Sequence, residues 1–317
     1  MRYRRLGNTD LQVSVVGIGS NNFGVRVDGA GTKRVVDAAM ENGITFFDTA
    51  DTYGNKGGSE TLLGEAIGAR RKDLVIATKF GDPMDPAGTL RGASRGYIAR
   101  AVEASLGRLR TDYIDLYQLH HPDPSTPIEE TLRALDDLVR QGKVRYIGCS
   151  NFAAWQVADA HWLAKCNELT GFVSCQNEFS LLEREPEQEL IPALQAYDMA
   201  LLPYFPLASG MLSGKYHRGQ AAPAGSRLET TPRLSQKYFT DSNWHIIDRL
   251  ERFCRQRGRT LLELAFAWLL AHDAVPSVIA GAMDAGQVAS NARAAEWELT
   301  ADEFAEVNGL LNTAQNV

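Results

Sequence analysis

No stretch of this 317-residue chain holds about 18 consecutive apolar residues, so no membrane-spanning helix is expected. The N-terminal Met1-Arg2-Tyr3-Arg4-Arg5-Leu6-Gly7 carries bases without an apolar segment behind them. A secretory leader is therefore not expected, and the protein reads as cytoplasmic. Cysteine is scarce. Cys149, Cys166, Cys175 and Cys254 stand far apart with no C-x-x-C pair, which argues against a disulfide framework and a cysteine zinc site, and no metal is assigned. Basic excess is missing too: 33 Lys and Arg against 39 Asp and Glu leave a charge of −6, spread along the chain. That gives no footprint for nucleic acid and no cationic helix for a membrane surface. Low-complexity tracts and sequence repeats are absent. A small molecule is the expected partner, and a monomer or weak homo-oligomer the expected state.

What is present is an alternation. After a hairpin turning at Gly7-Asn8-Thr9-Asp10, the run Val15 to Gly19 reads as a buried strand. Val35, Val36, Ala39 and Met40 keep helical spacing, and Gly43 is a stop before the strand Ile44 to Asp48. The same rhythm gives strands at Leu74 to Lys79, Tyr113 to Leu119, Val144 to Cys149, Phe172 to Cys175, Ala200 to Tyr204 and Ser277 to Ala280. Helical patterns lie between them, and a final amphipathic segment runs from Thr300 to Leu311. Between Ala208 and Asn243 the periodicity fades into a long loop, read as a cover over a ligand. Eight strands alternating with helices over this length fit a single (β/α)8 TIM barrel, residues 1–317, with an N-terminal β-hairpin.

In such a barrel the chemistry stands at the C-terminal ends of the strands. Here those exits carry Gly19 and Asn22, Asp48, Lys79, His120, Ser150 and Asn151, Gln176, and Tyr204, with Tyr53 just beyond Asp48. One strand-end carboxylate or lysine is usually solvated or structural, and a lone Tyr53 is more often packing. On one rim they suggest proton chemistry. A lysine beside Tyr53 stabilises phenolate, Asp48 holds Lys79 charged and in place, and His120 can polarise a carbonyl. Neither phosphate fingerprint is complete: Gly17-Ile18-Gly19 lacks the rest of G-x-G-x-x-G, and Gly210 to Lys215 is one residue short of a P-loop.

Asp48 with Tyr53, Lys79, Leu119-His120 followed by Pro122, Cys149-Ser150-Asn151-Phe152 and Gln176-Asn177-Glu178-Phe179 together resemble the aldo-keto reductases along the whole chain. The start Arg5-Leu6-Gly7 and the segment Pro206 to Tyr216 resemble the bacterial branch. The resemblance implies hydride transfer between a nicotinamide cofactor and an aldehyde, ketone or alcohol, with a tetrad on Asp48, Tyr53, Lys79 and His120. It places Ser150, Asn151 and Gln176 on the carboxamide and Tyr204 against the nicotinamide ring, and makes His121, with Phe23 on the loop after Asn22, candidates for the substrate pocket. Leu207, Ser209, Gly210 and Lys215 fall on the pyrophosphate, and Gly281, Gln287 and Asn291 on the adenosine. NADP(H) is the favoured cofactor. Because Met283 and Asp284 stand where relatives that prefer the phosphorylated form often carry Arg or Lys, NAD(H) is the alternative. Arg227 or Arg233 from the long loop are candidates to supply the charge. Three other functions compete: an NAD-dependent sugar or alcohol dehydrogenase on the same site, a cofactor-sensing accessory subunit with little turnover, and a Schiff-base aldolase using Lys79. Asp48 opposes the last, since it raises the pKa of the lysine.

Overall fold

The computed structural model describes residues 1–312; residues 313–317 of the expected 1–317 domain lie outside it. The chain opens with an antiparallel hairpin, β1 (Tyr3–Arg5) and β2 (Gln12–Ser14). Eight parallel strands follow: β3 (Val16–Gly19), β4 (Phe46–Asp48), β5 (Val75–Phe80), β6 (Ile114–Leu119), β7 (Val144–Ser150), β8 (Phe172–Glu178), β9 (Ala200–Tyr204) and β10 (Val278–Gly281). They are ordered β10-β3-β4-β5-β6-β7-β8-β9, and Leu201 N donates to Ala274 O at 2.7 Å where the two ends of the sheet meet. The result is a nearly closed (β/α)8 barrel, as expected.

Helices α1 (Gly29–Glu41), α2 (Tyr53–Ile67), α3 (Arg95–Leu109), α4 (Ile128–Arg140), α5 (Ala154–Cys166) and α6 (Leu190–Ala196) return the chain between strands. Their ends follow local chemistry. Asp28 caps α1 by accepting from Gly31 N at 2.7 Å, and Gly43 takes φ +73° just past its end, as expected for a stop. The long loop is more ordered than its composition suggests. A 3-10 turn (Ala208–Ser213), α7 (Arg227–Thr230) and α8 (Pro232–Tyr238) occupy it, anchored by the buried Tyr216, Leu228 and Tyr238. Beyond it come α9 (Asp241–Gln256), α10 (Leu261–Leu270), α11 (Ala285–Ala294) and α12 (Ala301–Asn312). Thr260 and Glu263 form a reciprocal capping box on α10, which is apolar on nearly every side and accordingly buried.

Two cores result. The larger lies between helices and strands. The smaller fills the barrel interior, where Phe46, Val75, Ala77, Leu116, Ala200 and Leu202 meet Leu6, Leu11 and Val13 of the hairpin, which plugs the bottom. Gly7 makes the plug possible. Its φ is +55°, and a Cβ there would lie 2.6 Å from Val173 O. Because side chains alternate along a strand, the residue two beyond each inward apolar one faces the same interior, one layer higher. Phe46 thus sets Asp48, Ala77 sets Lys79, Leu116 sets Gln118 and Leu202 sets Tyr204.

Candidate active site

Above that layer lies a cavity of about 910 Å³, lined by the strand ends, the long loop and the start of α11. Its floor is a buried ion pair. Lys79 Nζ lies 2.6 Å from Asp48 Oδ2 and donates also to Thr49 O at 2.9 Å. Lys79 is 0% exposed, so its charge persists only because it is paired. Burial pulls its pKa down, but Asp48 and Tyr53 push harder and the net displacement is upward. Gln176 donates to Asp48 Oδ1 at 2.8 Å, and Gln118 approaches the same oxygen at 3.4 Å. Sequence reading missed Gln118: it sits inside a buried strand, and only the register Lys79↔Gln118 brings it to the carboxylate.

Tyr53 stands over this pair, the Lys79 ammonium 5.2 Å from its ring centroid. The chain leaves that position through four residues with positive φ, Gly54, Asn55, Lys56 and Gly57, at 69°, 60°, 70° and 107°. Asn tolerates the left-handed region; Lys56 is held there against preference. The phenol departs from expectation. Burial raises its pKa, the charge and hydrogen bond of Lys79 lower it, Asp48 raises it again, and the net direction is up. Sequence reasoning counted the lysine and missed the desolvation.

His120 packs edge to face on Tyr53, centroids 5.8 Å apart. Burial first and the Lys79 charge second press its pKa down to about 3, so the imidazole is neutral. Around them Ser150 Oγ donates to Gln176 O at 2.8 Å, Asn151 Nδ2 donates to His120 O at 2.9 Å, and Tyr204 Oη donates to Asn151 Oδ1 at 2.9 Å. Asn151 has φ +61°, again a left-handed position that suits asparagine.

Most residues singled out in the sequence face this one cavity: Gly19, Asn22, Asp48, Tyr53, His120, His121, Ser150, Asn151, Gln176, Tyr204, Leu207, Ser209, Gly210, Lys215, Gly281, Gln287 and Asn291. Lys79 lies beneath, behind Asp48. Phe23 does not belong to the wall. It is 0% exposed in the larger core, because the turn that pairs Gly24 N with Val27 O folds the ring inward. Arg233 is exposed and away from the cavity, whereas Arg227 lines it and donates to Asn22 Oδ1 at 3.0 Å. Gln287 is largely committed: its Oε1 accepts from Met283 N at 3.1 Å and its Nε2 donates to Asp284 Oδ2 at 3.0 Å. Asn291 Nδ2 and Ser226 Oγ, by contrast, are buried, line the cavity and have no hydrogen-bond partner among the described residues. Sequence reading did not select Ser226, nor the cations Arg26 and Arg293 on the wall; nothing in their local pattern distinguishes them from surface residues.

The Aldo/keto reductase family profile matches residues 15–312. The chain is 37% identical over 320 residues to the uncharacterized oxidoreductase YrpG of Bacillus subtilis, covering 98% of this chain and 96% of that one. It is 35% identical over 305 residues to a second uncharacterized oxidoreductase of that organism, YqkF (96% and 94% covered). A probable voltage-gated potassium channel subunit beta of Arabidopsis thaliana is 36% identical over 305 residues, with 93% and 92% covered. Among the described residues no helix is long and apolar enough to cross a membrane. With a match over nearly its whole length, the chain belongs to the aldo/keto reductase family.

Proposed function

We propose that this protein is a nicotinamide-dependent oxidoreductase that reduces an aldehyde or ketone to the alcohol, or runs the reverse. The observation that carries the reading is the buried Asp48–Lys79 pair, 2.6 Å long, beneath a tyrosine and a neutral histidine at the floor of a large cavity. When bound, the cofactor supplies hydride to the carbonyl carbon or removes it. Tyr53 donates the proton to the oxygen. A phenol protonated at neutral pH is the competent form for that donation, and the fixed Lys79 charge stabilises the phenolate it leaves. Asp48 keeps Lys79 charged without acting as an acid, and neutral His120 orients the carbonyl by a hydrogen bond.

The cavity suits a dinucleotide. Four cations, Arg26, Lys215, Arg227 and Arg293, line it against two acids, Asp48 and Asp284, and the partnerless Asn291 Nδ2 and Ser226 Oγ wait for acceptors or donors. Ser150, Asn151, Gln176 and Tyr204 would hold the nicotinamide end beside Gly19 and Asn22. Leu207, Ser209, Gly210 and Lys215 would take the pyrophosphate, and Gly281, Gln287 and Asn291 the adenosine. The excess of cations favours NADP(H), with Arg227 the candidate for the extra phosphate; Asp284 on the same wall favours NAD(H). Fluorescence titration with NADPH and NADH, followed by substrate-dependent oxidation of the tighter nucleotide, tests the reading. Binding of neither nucleotide would end it. The second reading, a cofactor-binding subunit with little turnover, draws on the Arabidopsis relative's name; tight binding without oxidation across an aldehyde and ketone panel would favour it.

A further inference from the structure

At the rim of the cavity His120 meets two side chains, Asp82 and His121, to which the proposed hydride transfer gives no role. Asp82 follows Gly81 after β5, and its carboxylate meets the two histidines that follow β6. Oδ1 lies 2.8 Å from His121 Nδ1 and is hydrogen bonded to it; Oδ2 lies 3.1 Å from His120 Nδ1. The second contact lacks hydrogen-bond geometry, so His120 Nδ1 is buried with no hydrogen-bond partner among the described residues, on a residue only 8% exposed. The two imidazoles stack with centroids 4.9 Å apart and planes 20° from parallel, which turns both Nδ1 atoms toward one carboxylate. One ligand atom from each of the three residues lies within 4.8 Å of the others.

We propose that Asp82, His120 and His121 form a site for a divalent transition metal of the zinc type, held by one carboxylate oxygen and two neutral imidazole nitrogens, with its fourth position open to the cavity. Bonds of about 2.0–2.1 Å in a tetrahedron place ligand atoms roughly 3.3 Å apart. The carboxylate–imidazole separations, 2.8 Å to Oδ1 and 3.1 Å to Oδ2, are already short, and turning the carboxylate and the half-exposed His121 brings one oxygen and both nitrogens to that spacing. Two imidazoles and one carboxylate select zinc, cobalt, nickel or copper over magnesium and calcium, which take all-oxygen shells. No proton has to be displaced from His120, which burial keeps neutral. Two cations act on the group: Lys79, beside His120, is paired with Asp48, and Lys56, beside Asp82, donates to Pro83 O. Sequence spacing hid the site, since Asp82 and the histidines lie on loops that follow different strands.

Occupancy ties His120 to the ion and fills the approach to Tyr53, so metal and carbonyl substrate exclude each other. The binding stands on geometry alone; the inhibition rests on the oxidoreductase reading. The test uses the full chain without an affinity tag, stripped with chelator and titrated with Co²⁺ by visible absorption and with Zn²⁺ by calorimetry. One ion per chain is expected, with affinity reduced tenfold or more by His121→Ala and by Asp82→Asn. Cys166→Ser, which removes an exposed thiol, is expected to bind as the parent does. His121 is half exposed, so its truncation leaves the fold intact and that variant alone is decisive. Parent-like binding by His121→Ala, or loss of the ion in Cys166→Ser, overturns the proposal. Stoichiometric Zn²⁺ is expected to suppress carbonyl reduction by the parent. A one-to-one metal complex of a protein that never turns over would keep the metal site and defeat the oxidoreductase reading.

Discussion

Removing Asp48 isolates a charge in the barrel. Its carboxylate accepts from Lys79, Gln176 and, more distantly, Gln118, and Asp48 is only 3% exposed. Asp48→Ala therefore leaves Lys79, 0% exposed, without its counter-ion; loss of one partner from a buried pair costs about 3–5 kcal/mol. The pH dependence must change sign as well. In the parent the folded-state pKa of Lys79 is raised, so the pair's stabilisation is fully present below the unfolded value of about 10.4 and is lost only as pH climbs through the folded value. In the variant burial remains as the largest influence, and it lowers the pKa. The unfolded chain then binds more protons than the folded one, and stability climbs with pH below about 10.4, by up to ~1.4 kcal/mol per pH unit. Urea unfolding followed by tryptophan fluorescence at about pH 7 and about pH 9 reads both effects. A variant within about 1 kcal/mol of the parent, or a difference between the two that stays constant with pH, refutes the buried-pair account.

Three further outcomes follow from other parts of the molecule. With its folded pKa near 3 and an unfolded value near 6.5, His120 lets the unfolded chain protonate first, so stability declines as pH falls from about 6.5 toward 3; His120→Gln should flatten that acid limb in thermal scans. Asp51 is 1% exposed, neither carboxylate oxygen has a hydrogen-bond partner among the described residues, and burial first and Glu60 second raise its pKa to about 8. The folded chain keeps a proton there that the unfolded chain releases above about 4, so stability is lost as pH rises from about 4 to about 8, and Asp51→Asn should gain about 2–4 kcal/mol at neutral pH by urea unfolding. Gly54 has φ +69°, and a Cβ would lie 2.3 Å from Ser59 N; Gly54→Ala should cost more than about 1 kcal/mol and depress turnover by displacing Tyr53, both read from one preparation.

What the sequence disclosed was whatever depends on strand periodicity. Phe46-Phe47-Asp48 announces an inward carboxylate at a strand end because the alternation is fixed by the backbone, and Lys79 and Tyr204 follow by the same count. The unread parts depend on how neighbouring strands and turns meet. Gln118 reaches Asp48 through register with β5, and Asp82 reaches the histidines from another strand. Phe23 was misplaced because a tight turn, invisible in composition, sends it into the core. The long loop holds α7 and α8 through a few buried anchors too sparse to show a period. The phenol of Tyr53 shows the other limit: charge neighbours can be counted along a chain, but desolvation needs the surrounding volume.

The role proposed for Tyr53 as proton donor is read from steady-state oxidation of the preferred nucleotide by a carbonyl substrate, parent against Tyr53→Phe, with nucleotide affinity measured alongside. With Tyr53 as the donor, kcat is expected to fall by about 10²–10⁴ while binding of the nucleotide is kept. Near-parental turnover by Tyr53→Phe would contradict it.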